Sequence, residues 1–187
     1  MPGPTLIRAQ RAFTKAAAQA DAVITSGGVS VGEADFTKTM MKQLGDVAFW
    51  KIAMRPGRPM AVGRIMSDAR ACVLFGLPGN PVAVMVTFLA FVRPALLRMM
   101  GARDEPQVLM RANSGEAIRK KPGRTEYQRG VVRRLPNGTL EVRTTGNQGS
   151  GVLRSMVQAN ALIVLHHTQD SVAAGDEVDV MLFDGAI

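Results

Sequence analysis

Apolar residues recur at helical spacing through Leu6, Ile7, Ala9, Phe13 and Ala17, which predicts a helix over residues 5–20. The unbroken run AVIT that follows predicts a buried strand, closed at once by Gly27 and Gly28. Helical spacing returns in FTKTMMKQL and stops at Gly45. Val47 to Ala53 reads as a strand. Two prolines and a glycine make Arg55 to Pro59 a turn, so a strand pair is expected. ACVLFGL reads as a central strand and PGNP as a rigid loop. A long helix from Pro81 to Met100 follows, with Asn80 as its N-cap and proline at its first position. This alternation predicts an α/β domain built on a largely parallel, doubly wound sheet.

Beyond Met100 the texture changes. GARDEP has the polar, Pro- and Gly-containing composition of a linker, and no strong helical period reappears. Strand-like segments fall near 107–113, 126–135, 140–145, 161–167 and 177–183, with Asn137-Gly138 marking a hairpin. Five short strands predict a small β-barrel. The expected organisation is therefore an α/β domain over 1–103 and a β-barrel domain over 104–187.

Composition narrows the function classes. At 187 residues and 47% apolar content the chain can bury a substantial core. The single cysteine, Cys72, lies in an apolar run and is expected in that core, in a reducing, cytoplasmic setting. The longest apolar stretch, Val82 to Val92, is shorter than the roughly 20 residues of a bilayer span, so a buried helix and no membrane association are expected. Residues 1–103 hold 13 Lys and Arg against 5 Asp and Glu, while 104–187 hold 10 of each. All of the +8 net charge thus sits in the first part, which suits either an anionic partner or a solvated basic face.

Candidate chemistry gathers where strands pass into loops. Ser26, Gly27, Gly28, Ser30 and Gly32 form a glycine-rich loop after a strand and before a helix, a position that suits phosphate binding and equally a tight structural turn. It matches neither a dinucleotide fingerprint nor a phosphate-binding loop ending in GK[ST]. Asp35 closes that loop, where a carboxylate can cap a helix, hold Mg²⁺ beside phosphates or orient an attacking group. Lys51, Arg55 and Arg58 lie in KIAMRPGRP, either fixed cations for an oxyanion or a solvated basic turn. Pro78, Gly79, Asn80 and Pro81 again join strand to helix, so both loops are expected on one edge of the sheet; a plain strand-to-helix turn is the alternative. The basic strip from Arg119 to Arg129 holds Tyr127 as its only aromatic, which is thin support for a nucleic-acid surface in a chain 5% aromatic. His166 and His167 adjoin a buried strand and read as structural.

Taken in order, DAVITSGGVSVGEADFTK, FWKIAMRPGRPMAVG and FGLPGNPVAVMVTF, followed by KKPGRTEYQRG and TTGNQGS, resemble the MoeA and gephyrin E-domain family over nearly the whole chain. The resemblance implies molybdenum cofactor biosynthesis, with a pterin-binding α/β domain followed by a C-terminal β-barrel. The implied reaction inserts molybdate into adenylylated molybdopterin with a divalent cation such as Mg²⁺, releasing AMP and the finished cofactor. It casts Asp35 as the functional acid near metal and scissile pyrophosphate, and Lys51 and Arg55 as functional cations. Several relatives carry lysine at position 55. Pro78 and Pro81 match prolines shaping the pterin-side cleft, and Arg129 and Ser150 match active-site residues of the barrel.

Family members carry two further domains and the opening strands of the α/β domain ahead of the helix that starts here. The chain is therefore expected to be a portion of a longer enzyme, one whose cleft is completed by a second subunit. A homodimer of the full-length parent and a molybdopterin adenylyltransferase partner are implied as well. Two other readings are kept, a pterin-binding or assembly module without turnover and a basic nucleic-acid-binding domain.

Overall fold

The computed structural model describes residues 4–27, 41–67, 70–103, 107–149 and 151–183. Two compact units emerge. The first comprises 1–52 and 57–92, the second 53–56 and 93–187. The second unit takes in the four residues from Ala53 to Pro56.

In the first unit, helix α1 (Pro4–Gln19) leads into strand β1 (Ala22–Ser26). Residues 41–44 are helical, and strand β2 (Gly45–Lys51) begins at the glycine expected to stop that helix. Strands β4 (Pro59–Ser67) and β5 (Arg70–Leu77) complete a sheet of order β1-β5-β4-β2. Only β1 and β5 run parallel; β5 with β4 and β4 with β2 are antiparallel. The expectation of a largely parallel sheet is thus corrected for the described strands. Prolines and Gly57 reverse the chain between β2 and β4, and hairpin neighbours must run antiparallel. Alternation along the strands sends Val47, Ala61, Ile65, Cys72 and Leu74 to one face, where Ala17 and the partly buried Ala9 and Phe13 of α1 pack on them.

Helix α2 (Pro81–Met99) follows β5 and contains a π-helical turn at Phe88–Val92. Asn80 caps it as expected, its Oδ1 accepting from the backbone N–H of Val82 and Ala83 at 3.1 and 3.2 Å. Length and composition alone would let this helix cross a membrane. Here it contacts β5 and buries Val82, Ala83, Val86, Leu89 and Val92, while Met85, Phe91, Leu97 and Met99 are exposed.

The second unit is a closed barrel. Strands β6 (Met110–Ser114), β7 (Thr125–Arg134), β8 (Leu140–Thr144), β9 (Ala161–Leu165) and β10 (Glu177–Leu182) pair in the order β7-β8-β6-β10-β9, and β9 returns to β7. All five correspond to expected strands. The β7–β8 hairpin turns at Asn137-Gly138, where Asn137 Oδ1 accepts from Thr139 N and Oγ1 at 3.1 and 2.7 Å. Every residue of β9 is buried, and Val142, Ile163, Leu165, Val178 and Val180 fill the interior. Closure leaves no free strand edge among these five. A short helix, α3 (Arg154–Gln158), and the two-residue strand β3 (Met54–Arg55), parallel to β7, were not expected from the sequence.

On the barrel surface Asp179 of β10 meets a histidine and an arginine. His166 Nε2 lies 2.5 Å from Asp179 Oδ2, and Arg111 Nη1 donates to Oδ1 at 3.1 Å. The His166 hydrogen bond is the largest cause of an Asp179 carboxyl pKa below the ordinary value, with Arg111 adding to it against the opposing effect of burial. Since the folded pKa is depressed, this contribution is present above the unfolded carboxyl value of about 3.9 and fades as pH falls through the folded one. The urea midpoint of the barrel should therefore drop below about pH 4, and more steeply for this protein than for Asp179→Asn. Equal slopes in the two proteins would remove Asp179 from the acid response.

Candidate functional site

The register of the first sheet explains where its loops lie. Ser26 pairs with Leu77, Ala61 with Gly76, and Lys51 with Pro59. The carboxyl ends of β1, β5 and β2 and the start of β4 therefore share one edge. Ser26, Gly27, Lys51, Arg58, Pro78, Gly79 and Asn80 all stand along it. Gly27 donates its N–H to Leu77 O at 3.0 Å, and a Cβ on Gly79 would come 3.5 Å from Gly27 Cα, so the two loops touch as expected. Gly27 sits at φ 85°, a conformation glycine adopts without strain. Lys51, Arg58 and Ser26 are exposed, Pro78 is buried, and Pro81 is exposed at the first turn of α2. Gly28, Ser30, Gly32, Asp35 and Ser150 lie outside the described residues.

Arg55 belongs to the second unit. The sequence groups it with Lys51 and Arg58, but β3 carries it into the second unit, where Met54 and Arg55 pair with Thr125 and Glu126 of β7. There it lines a cavity of about 320 Å³ together with Glu116, Arg119, Tyr127, Gln128, Arg129 and Gln148. Arg129 is 1% exposed. Its Nε donates to Ser155 Oγ and its Nη2 to Gly149 O, each at 3.0 Å. Among the described residues none of its hydrogen bonds goes to a carboxylate. Burial first, and then the nearby Arg55 charge, lower the Arg129 pKa. A buried guanidinium whose charge is disfavoured by burial and by the exposed Arg55 beside it forms a site that an anion would relieve.

Acidic side chains in the same cavity are engaged elsewhere. Glu116 Oε1 accepts from Thr144 N and Oγ1, both at 2.7 Å, and Glu126 Oε1 is bridged by Arg124 Nη2 at 2.7 Å. Burial also pushes the Tyr127 phenol above its ordinary value, keeping it neutral at pH 7. Sequence reasoning left Glu116, Gln128 and Gln148 without a role. The signal for Gln148 was its place in TTGNQGS, where an amide among turn residues can pair with backbone.

This architecture, an α/β layer with glycine loops on one sheet edge followed by an arginine-lined barrel, matches two family descriptions. Residues 5–98 match a "Probable molybdopterin binding domain" and residues 111–183 the "MoeA C-terminal region (domain IV)". The chain belongs to the MoeA family, with a molybdopterin-binding domain followed by a MoeA C-terminal region. It is 42% identical over 176 residues to the molybdopterin molybdenumtransferase of Haemophilus influenzae, covering 94% of this chain and 43% of that protein. It is 31% identical to gephyrin of Dictyostelium discoideum, covering 88% of this chain and 26% of gephyrin. A solved molybdopterin biosynthesis MoeA protein from Pyrococcus horikosii superposes with a TM-score of 0.72 at 28% identity, covering 94% of this chain and 40% of that one. The chain thus spans less than half the length of these relatives.

Proposed function

We propose that the chain forms the pterin-binding and barrel portion of an enzyme that inserts molybdate into adenylylated molybdopterin, releasing AMP and molybdenum cofactor. The observation that carries this reading is the pairing of Arg55 and Arg129 in one barrel cavity. Both offer planar donor forks, and a tetrahedral dianion such as molybdate would take their N–H groups and offset their mutual repulsion. The sheet edge of the first unit, taken by itself, suits a phosphorylated ligand. The Gly27 turn and the 78–80 loop let backbone approach phosphate, while Lys51 and Arg58 add positive potential.

In this reading Asp35 contributes to an Mg²⁺ site. Phosphate oxygens of the substrate and water would supply further ligands. Mg²⁺ would neutralise charge as the phosphoanhydride opens. We place the reaction in the cytoplasm, with the parent enzyme a homodimer fed by a molybdopterin adenylyltransferase.

The test uses the parent enzyme, supplied with adenylylated molybdopterin, Mg²⁺ and molybdate. AMP is expected to appear, and Asp35→Ala should slow its release by a factor on the order of 10² or more. Unchanged release in the variant removes Asp35 from the mechanism. A second reading for the chain is pterin binding without turnover, which the molybdopterin-binding match over 5–98 supports. Saturable molybdopterin uptake with no AMP release is its signature.

A further inference from the structure

The barrel cavity depends on a side chain that looks incidental in the sequence. The ladder between β7 and β8 runs from the Arg134–Leu140 pair to the Gly130–Thr144 pair and stops there. Arg129 is the next residue of β7; its carbonyl still accepts from the backbone of Thr145, but its N–H meets a side chain where a longer β8 would offer a carbonyl. The loop folds back. Arg129 N–H donates to Gln148 Oε1 at 2.8 Å, and Gln148 Nε2 donates to Arg129 O at 3.0 Å. Thr145 N also donates to that carbonyl, at 2.9 Å. The carboxamide of Gln148 therefore gives the acceptor that a longer β8 would offer and adds a second donor to the carbonyl.

The same loop holds the side chain. Asn147 Oδ1 accepts from Gly149 N at 2.8 Å, and Gly149 O in turn accepts from Arg129 Nη2 at 3.0 Å. Backbone and guanidinium of Arg129 are thus fixed by one short segment, residues 145–149, with Ser155 Oγ holding Nε from α3. Among the described residues no further hydrogen bond of the guanidinium is found, and Arg129 lines the cavity.

We propose that Gln148 is a positioning residue for oxyanion capture, aligning Arg129 with Arg55 by accepting the Arg129 N–H that β8 leaves without a carbonyl and adding a second donor to the Arg129 carbonyl. The inference rests on the reading of the cavity as a molybdate site. Only glutamine suits the role. Asparagine is one methylene short, and glutamate offers acceptors alone, so it would face the Arg129 carbonyl with an anion.

The experiment uses the 187-residue chain labelled with ¹⁵N-arginine, with molybdate titrated by calorimetry. In the unaltered protein the Arg129 Nε–H is expected as a sharp, slowly exchanging resonance. Gln148→Ala should broaden or lose that resonance and weaken molybdate binding about tenfold, as loss of an outer-shell orienting group commonly does, with the β9 and β10 amides unmoved. Gln148→Glu should behave like Gln148→Ala at pH 7 and regain the resonance as the introduced carboxyl protonates and again both donates and accepts. A general loss of packing would not recover with acid in this way. An unchanged Nε–H resonance and molybdate affinity within twofold in Gln148→Ala overturn the proposal. Absence of saturable molybdate uptake by the unaltered protein overturns the oxyanion reading, and the resonance comparison still decides whether Gln148 positions Arg129.

Discussion

An Arg129→Met substitution is expected to abolish the thermal stabilisation that molybdate confers on the protein. A ligand bound only to the folded state stabilises it by about 2.7 kcal/mol at a hundred times its dissociation constant. For a chain of this size that corresponds to a rise in midpoint of roughly 5–10 °C. The variant should show no rise at the same molybdate concentration, and AMP release by the parent enzyme should fall with it. The unliganded midpoint should move far less. Arg129 is a charge buried to 1% exposure beside Arg55, so removing it gives back a desolvation and repulsion cost. Against that stands the loss of two hydrogen bonds to Ser155 Oγ and Gly149 O, of which Ser155 keeps its own bond to Val152 O. Function and stability should therefore separate. Arg129→Met with a full molybdate-dependent rise would show that Arg129 does not hold the anion, and the cavity reading would fall with it.

That separation bears on what could be read from the residues alone. Helix α1, the Asn80 cap and the five barrel strands were legible because each is written in local terms, as apolar period, side-chain cap or alternation. The sheet direction was not. Counting strands against helices suggested parallel neighbours, whereas the β2–β4 connection is too short for a crossover and forces an antiparallel pair. Arg55 shows a different limit. Its proximity to Lys51 and Arg58 in sequence implied one group of cations, yet the partner that fixes β3 is Thr125 and Glu126, some seventy residues away. Gln148 was visible only as part of a motif. Its meaning depends on where the β7–β8 ladder ends, which no local pattern states.

The second large effect concerns how closely β2 lies on β4. A Cβ on Gly45 would stand 1.9 Å from Arg64 O and 2.9 Å from Arg64 C, and one on Gly63 would stand 2.2 Å from Asp46 O. These obstacles are backbone atoms, so no rotamer change can relieve them; the strands must part or shift register. Gly45→Ala is accordingly expected to cost about 3 kcal/mol or more, at the upper end of overpacking, and to lower the midpoint by roughly 10 °C. Gly151→Ala is the matched control. A Cβ there would meet nothing within 4 Å, and the change should stay within about 0.5 kcal/mol. The consequence reaches the sheet edge, because the Gly45–Ile65 and Lys51–Pro59 pairs close opposite ends of one ladder. A register slip at Gly45 would move Lys51 and turn it to the other face of the sheet. Near-ultraviolet circular dichroism and thermal melting of both variants would check this. A Gly45→Ala protein as stable as Gly151→Ala would mean that β2 and β4 do not approach so closely, and that their pairing is not what sets Lys51 on the edge shared with Ser26 and Gly79.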